Sequence, residues 1–192
     1  MKNHVHRIRE ELPMMLAFVA LIWLVFLSDL VLPGSFDHYG LVPRDMGGLV
    51  GIFTMPFLHG NFGHLLSNTV PLLVLLTLLA GSRADSIKVV LVIVILGGLL
   101  LWLMGRGASL HIGASGLVFG LAAFLVVSGL LERRPLPLFI AVLVVLLYGS
   151  TLVSGLMPWQ RGVSWEGHLF GVMAGIAAAW WLARDKQTAN WQ

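Results

Sequence analysis

Long apolar runs broken by short polar stretches make up most of the chain. A helix needs roughly 17–25 apolar residues to cross ~30 Å of hydrocarbon. Six segments qualify: 13–32, 63–80, 87–104, 115–131, 137–156 and 165–183. Peptide groups inside a bilayer have no water to bond to, so each run is read as a helix whose hydrogen bonds close on themselves. Pro71 within the second run predicts a kink, or backbone groups re-satisfied locally. The breaks that follow, "GSRADS", "GRGASLHIG" and "ERRPL", leave no room for a soluble domain. The expectation is an all-α membrane protein, a six-transmembrane helical bundle forming one domain over 1–192.

Composition agrees with that reading. Of 192 residues 58% are hydrophobic and 11% charged, against about 25% charged in a soluble domain. A net charge of +3 suggests nucleic acid only until the basic residues are located. With the N-terminus inside, Lys2, Arg7, Arg9, Arg83, Lys88, Arg133, Arg134, Arg184 and Lys186 fall on the cytoplasmic side. Only Arg44, Arg106 and Arg161 fall opposite. This asymmetry predicts both termini in the cytoplasm and leaves no case for a nucleic-acid partner. Trp102, Trp159 and Trp165 then lie at the outer boundary, Trp180 and Trp181 at the inner one, as interfacial anchors do. Cysteine is absent, which excludes disulfides, thiolate zinc sites and cysteine nucleophiles. The first run is longer than a secretory h-region and lacks a small-residue cleavage site, so it reads as a retained anchor.

With this topology the polar residues able to do chemistry converge on the outer side. Ser115 opens the fourth span in "LHIGASGLVFG", His64 and Asn68 sit in "HLLSN" at the start of the second, and His168 in "WEGHLFG" at the start of the sixth. Each has an ordinary explanation: a helix-start serine is a cap or packing residue, an asparagine a cross-helix bond. Together, at one depth, polar groups that are costly in a membrane point to function. His64 and Asn68, four apart, share a helix face. His168 shares one with Gly171 and Gly175, and Gly116, Gly120 and Ala123 form a small stripe beside Ser115. Such small-residue faces let helices approach closely, near enough to bring His168 to Ser115. An imidazole can then take the hydroxyl proton and activate the oxygen. Glu166 faces elsewhere and Asp29 lies in the first span, so a Ser–His dyad without an acid is expected. The Ser115 N–H at a helix start, with His64 and Asn68, are candidate donors to an oxyanion. Nothing suggests a cofactor.

The motifs "FLHGNFGHLLSN", "GASG" and "GHLFGVMAG", in that order on spans two, four and six, resemble those of rhomboid intramembrane serine proteases. The resemblance covers essentially the whole chain. It implies Ser115 as nucleophile and His168 as base, with the oxyanion held by His64, Asn68 and the Ser115 amide. It assigns His59 to support of the active-site loop, and Gly113 and Gly116 to framing the serine. Three departures stand out. The family often has Trp-Arg nine and eight residues before the His59 position, where this chain has Val50 and Gly51. Tyrosine often follows the nucleophile by four, where Phe119 keeps the ring without the hydroxyl. Gly167 replaces the alanine that often precedes the base. The chain resembles the short bacterial form, with no soluble N-terminal domain and no seventh span. The resemblance further implies single-span membrane proteins as substrates, cut near the outer face of a bacterial inner membrane where helices unwind cheaply. A fourth span of about 17 residues, or ~26 Å, would start Ser115 below the surface under a water-filled depression. The alternatives are a catalytically inactive relative that binds membrane segments, a transporter, and a metal site on His59, His64, His111 and His168. His111, four residues before Ser115, is a weaker rival base.

Overall fold

A computed structural model of the chain describes residues 2–82, 84–159 and 162–189; of the topology-bearing residues named above, Arg83 and Arg161 lie outside these. Seven α-helices follow in order among the described residues: α1 (Lys2–Val31), α2 (Gly51–Thr54), α3 (Phe62–Ala80), α4 (Ser86–Met104), α5 (Ser115–Glu132), α6 (Pro135–Gly155) and α7 (Trp165–Ala189). Among the described residues no strand occurs beyond one isolated bridge between Leu41 and His111. Among the described residues five helices are long and apolar enough to cross a membrane: the 8–31 part of α1, and α3, α4, α5 and α6. The expected sixth span, 165–183, falls inside α7.

The helix ends follow local chemistry. The Asn61 side chain accepts the His64 N–H at 2.8 Å to start α3, and Asp85 accepts the Lys88 N–H at 3.2 Å to start α4. Arg133, in a left-handed conformation (φ 50°), ends α5. Pro135 then opens α6, where its missing N–H costs nothing. Pro71 lies within an otherwise continuous α3.

α5 is the centre of the bundle and packs against α3, α4, α6 and α7. Its buried residues run from Leu117 to Gly129, and its Leu121 and Phe124 pack with Ile93 of α4, Leu72 of α3 and Val144 of α6 in a core at most 2% exposed. The outer skin is apolar: Leu146 is 78% exposed, Phe139 63% and Leu24 62%. An exposed apolar surface of this extent is what lipid requires and water penalises. α5 meets α7 through glycines. A Cβ added to Gly171 would lie 2.1 Å from the Gly116 carbonyl oxygen, and one on Gly175 2.0 Å from that of Gly120.

Between α1 and α3 the chain forms a docked loop, with 3-10 turns at Phe36–Tyr39, Gly47–Val50 and Met55–Phe57 around α2. Arg44 donates to the Leu103 and Gly105 carbonyls at 3.2 and 2.7 Å, and Trp102 Nε1 donates to the Asp45 carbonyl at 2.8 Å. The loop is therefore fastened to the end of α4, the same end of the bundle at which α3, α5 and α7 begin.

Candidate active site

Ser115 opens α5, but the cap position belongs to Ala114, which makes no side-chain capping bond. The serine hydroxyl is instead 2.8 Å from His168 Nε2. The other ring nitrogen, Nδ1, is 2.8 Å from the carbonyl oxygen of Gly155 at the end of α6. A carbonyl can only accept, so Nδ1 carries the proton and Nε2 presents its lone pair to the hydroxyl. Phe119 stacks on the imidazole with centroids 4.0 Å apart and planes 9° from parallel. The ring is thus fixed by a backbone acceptor and an aromatic face, and His168 is only 6% exposed. Glu166 turns away: Arg106 holds it through two bonds, Nε to Oε1 at 2.5 Å and an amino nitrogen to Oε2 at 3.0 Å.

A cleft of about 840 Å³ opens over the dyad. Its walls include His64, Asn68 and Pro71 from α3, Ser115 and Phe119 from α5, and Tyr148, Thr151 and Gly155 from α6. Asn68 is buried and donates one side-chain N–H to the His64 carbonyl at 2.9 Å. The His64 ring lies against Gly113, where a Cβ would come within 2.5 Å of Nε2. Gly113 also has φ +108°, a region that side chains disfavour. Its N–H donates to the Met55 carbonyl at 2.9 Å, so the docked loop supports the strand of chain leading to Ser115. Gly116 faces the Gly167 carbonyl, 3.1 Å from where a Cβ would sit.

His59 is buried behind His64, ring centroids 4.9 Å apart. Burial first, then the neighbouring His64, lower it from 6.5 to about 4, against a smaller upward pull from the Phe57 backbone. It is a neutral packing group at physiological pH. Burial also lowers His111, against the pull of Glu166 and with a lesser push from Arg106. Its Nδ1 is 2.7 Å from Ser164 Oγ. Among the described residues no group of three or more His, Cys, Asp or Glu is arranged to hold a metal ion.

Several contributors were not visible in the motifs. Gly155 supplies the acceptor for His168, Tyr148 and Thr151 line the cleft, and Ser164 and Arg106 tie α7 to the loop before Ser115. A glycine next to the end of the fifth apolar run is the sequence's trace of the first. At the position of the often-present Trp-Arg pair, Gly51 has no room for a side chain: a Cβ would lie 2.3 Å from the Leu41 backbone. Arg44 and Trp102 do the fastening from elsewhere.

A family model described as Rhomboid domain matches residues 46–185. An uncharacterized protein of Mycobacterium tuberculosis is 43% identical over 186 residues, covering 91% of this chain and 76% of its own length. An uncharacterized protein of Mycobacterium bovis matches to the same extent. One of Mycobacterium leprae is 42% identical over 181 residues, covering 90% and 71%.

Proposed function

The chain belongs to the rhomboid family and is a multi-pass membrane protein, and from that premise we propose that it is an intramembrane serine endopeptidase. The observation that carries the proposal is the 2.8 Å approach of His168 Nε2 to Ser115 Oγ, with Nδ1 bonded to Gly155.

Ser115 Oγ attacks the carbonyl carbon of a substrate peptide bond while His168 Nε2 takes its proton. The Gly155 carbonyl holds the imidazolium by its Nδ1–H, doing with a neutral acceptor what a carboxylate does in a triad. Charge on the substrate oxygen is met by the Ser115 N–H at the start of α5, where the helix dipole is favourable, and by His64 and Asn68. His168 returns the proton to the leaving amine. A water entering by the cleft then loses a proton to His168 and releases the acyl group from Ser115. His59, Gly113, Gly116 and Phe119 hold this frame, and no cofactor is used. The whole chain, 1–192, forms one domain of six spans with both termini cytoplasmic. That puts the cleft on the periplasmic or extracellular side of a bacterial inner membrane. Substrates are single-span membrane proteins whose helices yield near that face, Gly and Pro lowering the cost of exposing the bond.

A fluorophosphonate probe and a panel of tagged single-span proteins test the reading. Wild type labels and cuts; Ser115→Ala does neither. His168→Ala loses several orders of magnitude, and the double variant is hardly worse, as for any coupled pair. Asn68→Ala falls about 10²–10³-fold and keeps measurable activity. Folded wild type that neither labels nor cuts would instead mark an inactive relative that binds membrane segments.

A further inference from the structure

Ser115 and His168 are 53 positions apart, yet their side chains meet at 2.8 Å. Reaction rates respond steeply to that geometry: a misplacement of about 1 Å costs roughly 10²-fold. The glycine contacts between α5 and α7 set how close the helix axes lie, but they sit at Gly116–Gly171 and Gly120–Gly175, on the inner side of the dyad. In the first turn of α7 the glycine contact is looser, with the Gly167 carbonyl 3.1 Å from where a Gly116 Cβ would sit, so the tilt of that turn depends on further restraint.

Two side-chain bridges lie on that outer side. Arg106 grips Glu166 at 2.5 and 3.0 Å, and His111 Nδ1 is 2.7 Å from Ser164 Oγ. Ser164 is the foundation of α7. Its hydroxyl accepts the Gly167 N–H at 3.1 Å and its carbonyl accepts the His168 N–H at 3.1 Å. His111 is equally well anchored. It exchanges both backbone bonds with Leu41, at 2.8 and 3.0 Å, and stands four residues before Ser115. It is 3% exposed, and Nε2 is buried without a partner. Neither ring nitrogen is bonded to Ser115, which removes His111 as a rival base.

We infer that His111, acting through Ser164, is a positioning residue that locks the cap of α7 to the loop delivering Ser115 and thereby sets how His168 meets the hydroxyl. This rests on the protease reading of the Ser115–His168 pair. Arg106–Glu166 closes the same gap from the neighbouring turn.

The test measures inactivation by a fluorophosphonate, separating the maximal rate, kinact, from the half-saturating concentration, KI, together with the thermal midpoint of the full chain in detergent. His111→Phe keeps bulk and removes the nitrogen while leaving the Ser164 cap intact; His111→Asn restores a polar atom near Nδ1. Ser164→Ala removes the hydroxyl and Ser164→Thr retains it. In His111→Phe and Ser164→Ala, kinact falls about 10–100-fold with KI within about twofold. The double variant is no slower than the slower single one, and Asn and Thr recover most of the loss. Unchanged kinact in both singles, a loss confined to KI, additive losses, or losses that merely follow the thermal midpoint would each overturn the inference. Where His111→Phe does not fold, the Ser164→Ala and Ser164→Thr pair decides. Ser115→Ala runs beside them: labelling that survives it, or no labelling of wild type, overturns the protease reading itself. Labelling that depends on Ser115 but is indifferent to His111 and Ser164 overturns only the positioning role.

Discussion

Gly155 combines two requirements that no other residue type meets at once. Its carbonyl fixes the proton on His168 Nδ1, and its bare α-carbon leaves room for the stacked rings. A Cβ there would lie 2.4 Å from Phe119 Cζ and 3.0 Å from His168 Nδ1. Gly155→Ala is therefore expected to push the imidazole off line and slow fluorophosphonate labelling about 10–100-fold, with the thermal midpoint much less affected. Wild-type labelling rates in the alanine variant would contradict the role given to this contact. His59 acts on stability instead. Above its usual value of 6.5 both folded and unfolded chains hold it neutral, and its contribution is complete. As pH falls from 6.5 to about 4 the unfolded chain takes up a proton that the buried ring refuses, so stability declines through that window. Below it the folded form is protonated too, and the loss stops growing. Thermal midpoints measured from about pH 7.5 to about pH 4.5 should fall less steeply in His59→Gln than in wild type; equal slopes would assign the decline to other groups.

Elements were legible wherever one physical demand dominated. Runs of some 18 apolar residues have one outcome in lipid, and α3 to α6 start and stop within two residues of the expected bounds. α1 begins at Lys2 rather than near position 13 because its polar first turns, "KNHVHRIREEL", carry no apolar signal. The helical stretch at 47–57 is short and broken by Gly51 and Pro56. It exists because it docks on α4, where Ile52 presses against Gly98. The His168, Gly171 and Gly175 spacing put the histidine on a glycine face, and that much of the site could be read from periodicity. The partners of Ser164 and Arg106 could not, being 53 and 60 positions away. The glycine face carries its own prediction. Gly175→Ala should cost about 1–3 kcal/mol by overpacking, seen as a lowered thermal midpoint, because its Cβ would meet the Gly120 carbonyl at 2.0 Å. Gly149→Ala on α6 is the control, since its Cβ meets nothing nearer than Val145 Cγ1 at 3.7 Å. Equal midpoints for the two would deny that backbone contact holds α5 to α7.

For the whole molecule, the consequential question is which side of the membrane the cleft faces. Of the described basic residues at the cleft end, Arg44 is spent on the carbonyls that close α4, and Arg106 is paired with Glu166. Arg106 is thus offset by a carboxylate, while Arg44, bonded to neutral carbonyls, keeps its charge. At the opposite end Arg133 and Arg134 stand together between α5 and α6 and are exposed, with Lys88, paired with Asp85 at 3.5 Å, near the start of α4. Loop cations retained in the cytoplasm orient multi-pass proteins, so the adjacent arginine pair should lie inside and the cleft outside. The chain has no cysteine, so single replacements can report this without background. Met46, 73% exposed in the docked loop, and Arg134 mark the two ends. Met46→Cys should react with a membrane-impermeant maleimide in intact cells, and Arg134→Cys only after permeabilisation. The reverse pattern would turn the cleft, and with it the Ser115–His168 pair, to the cytoplasm.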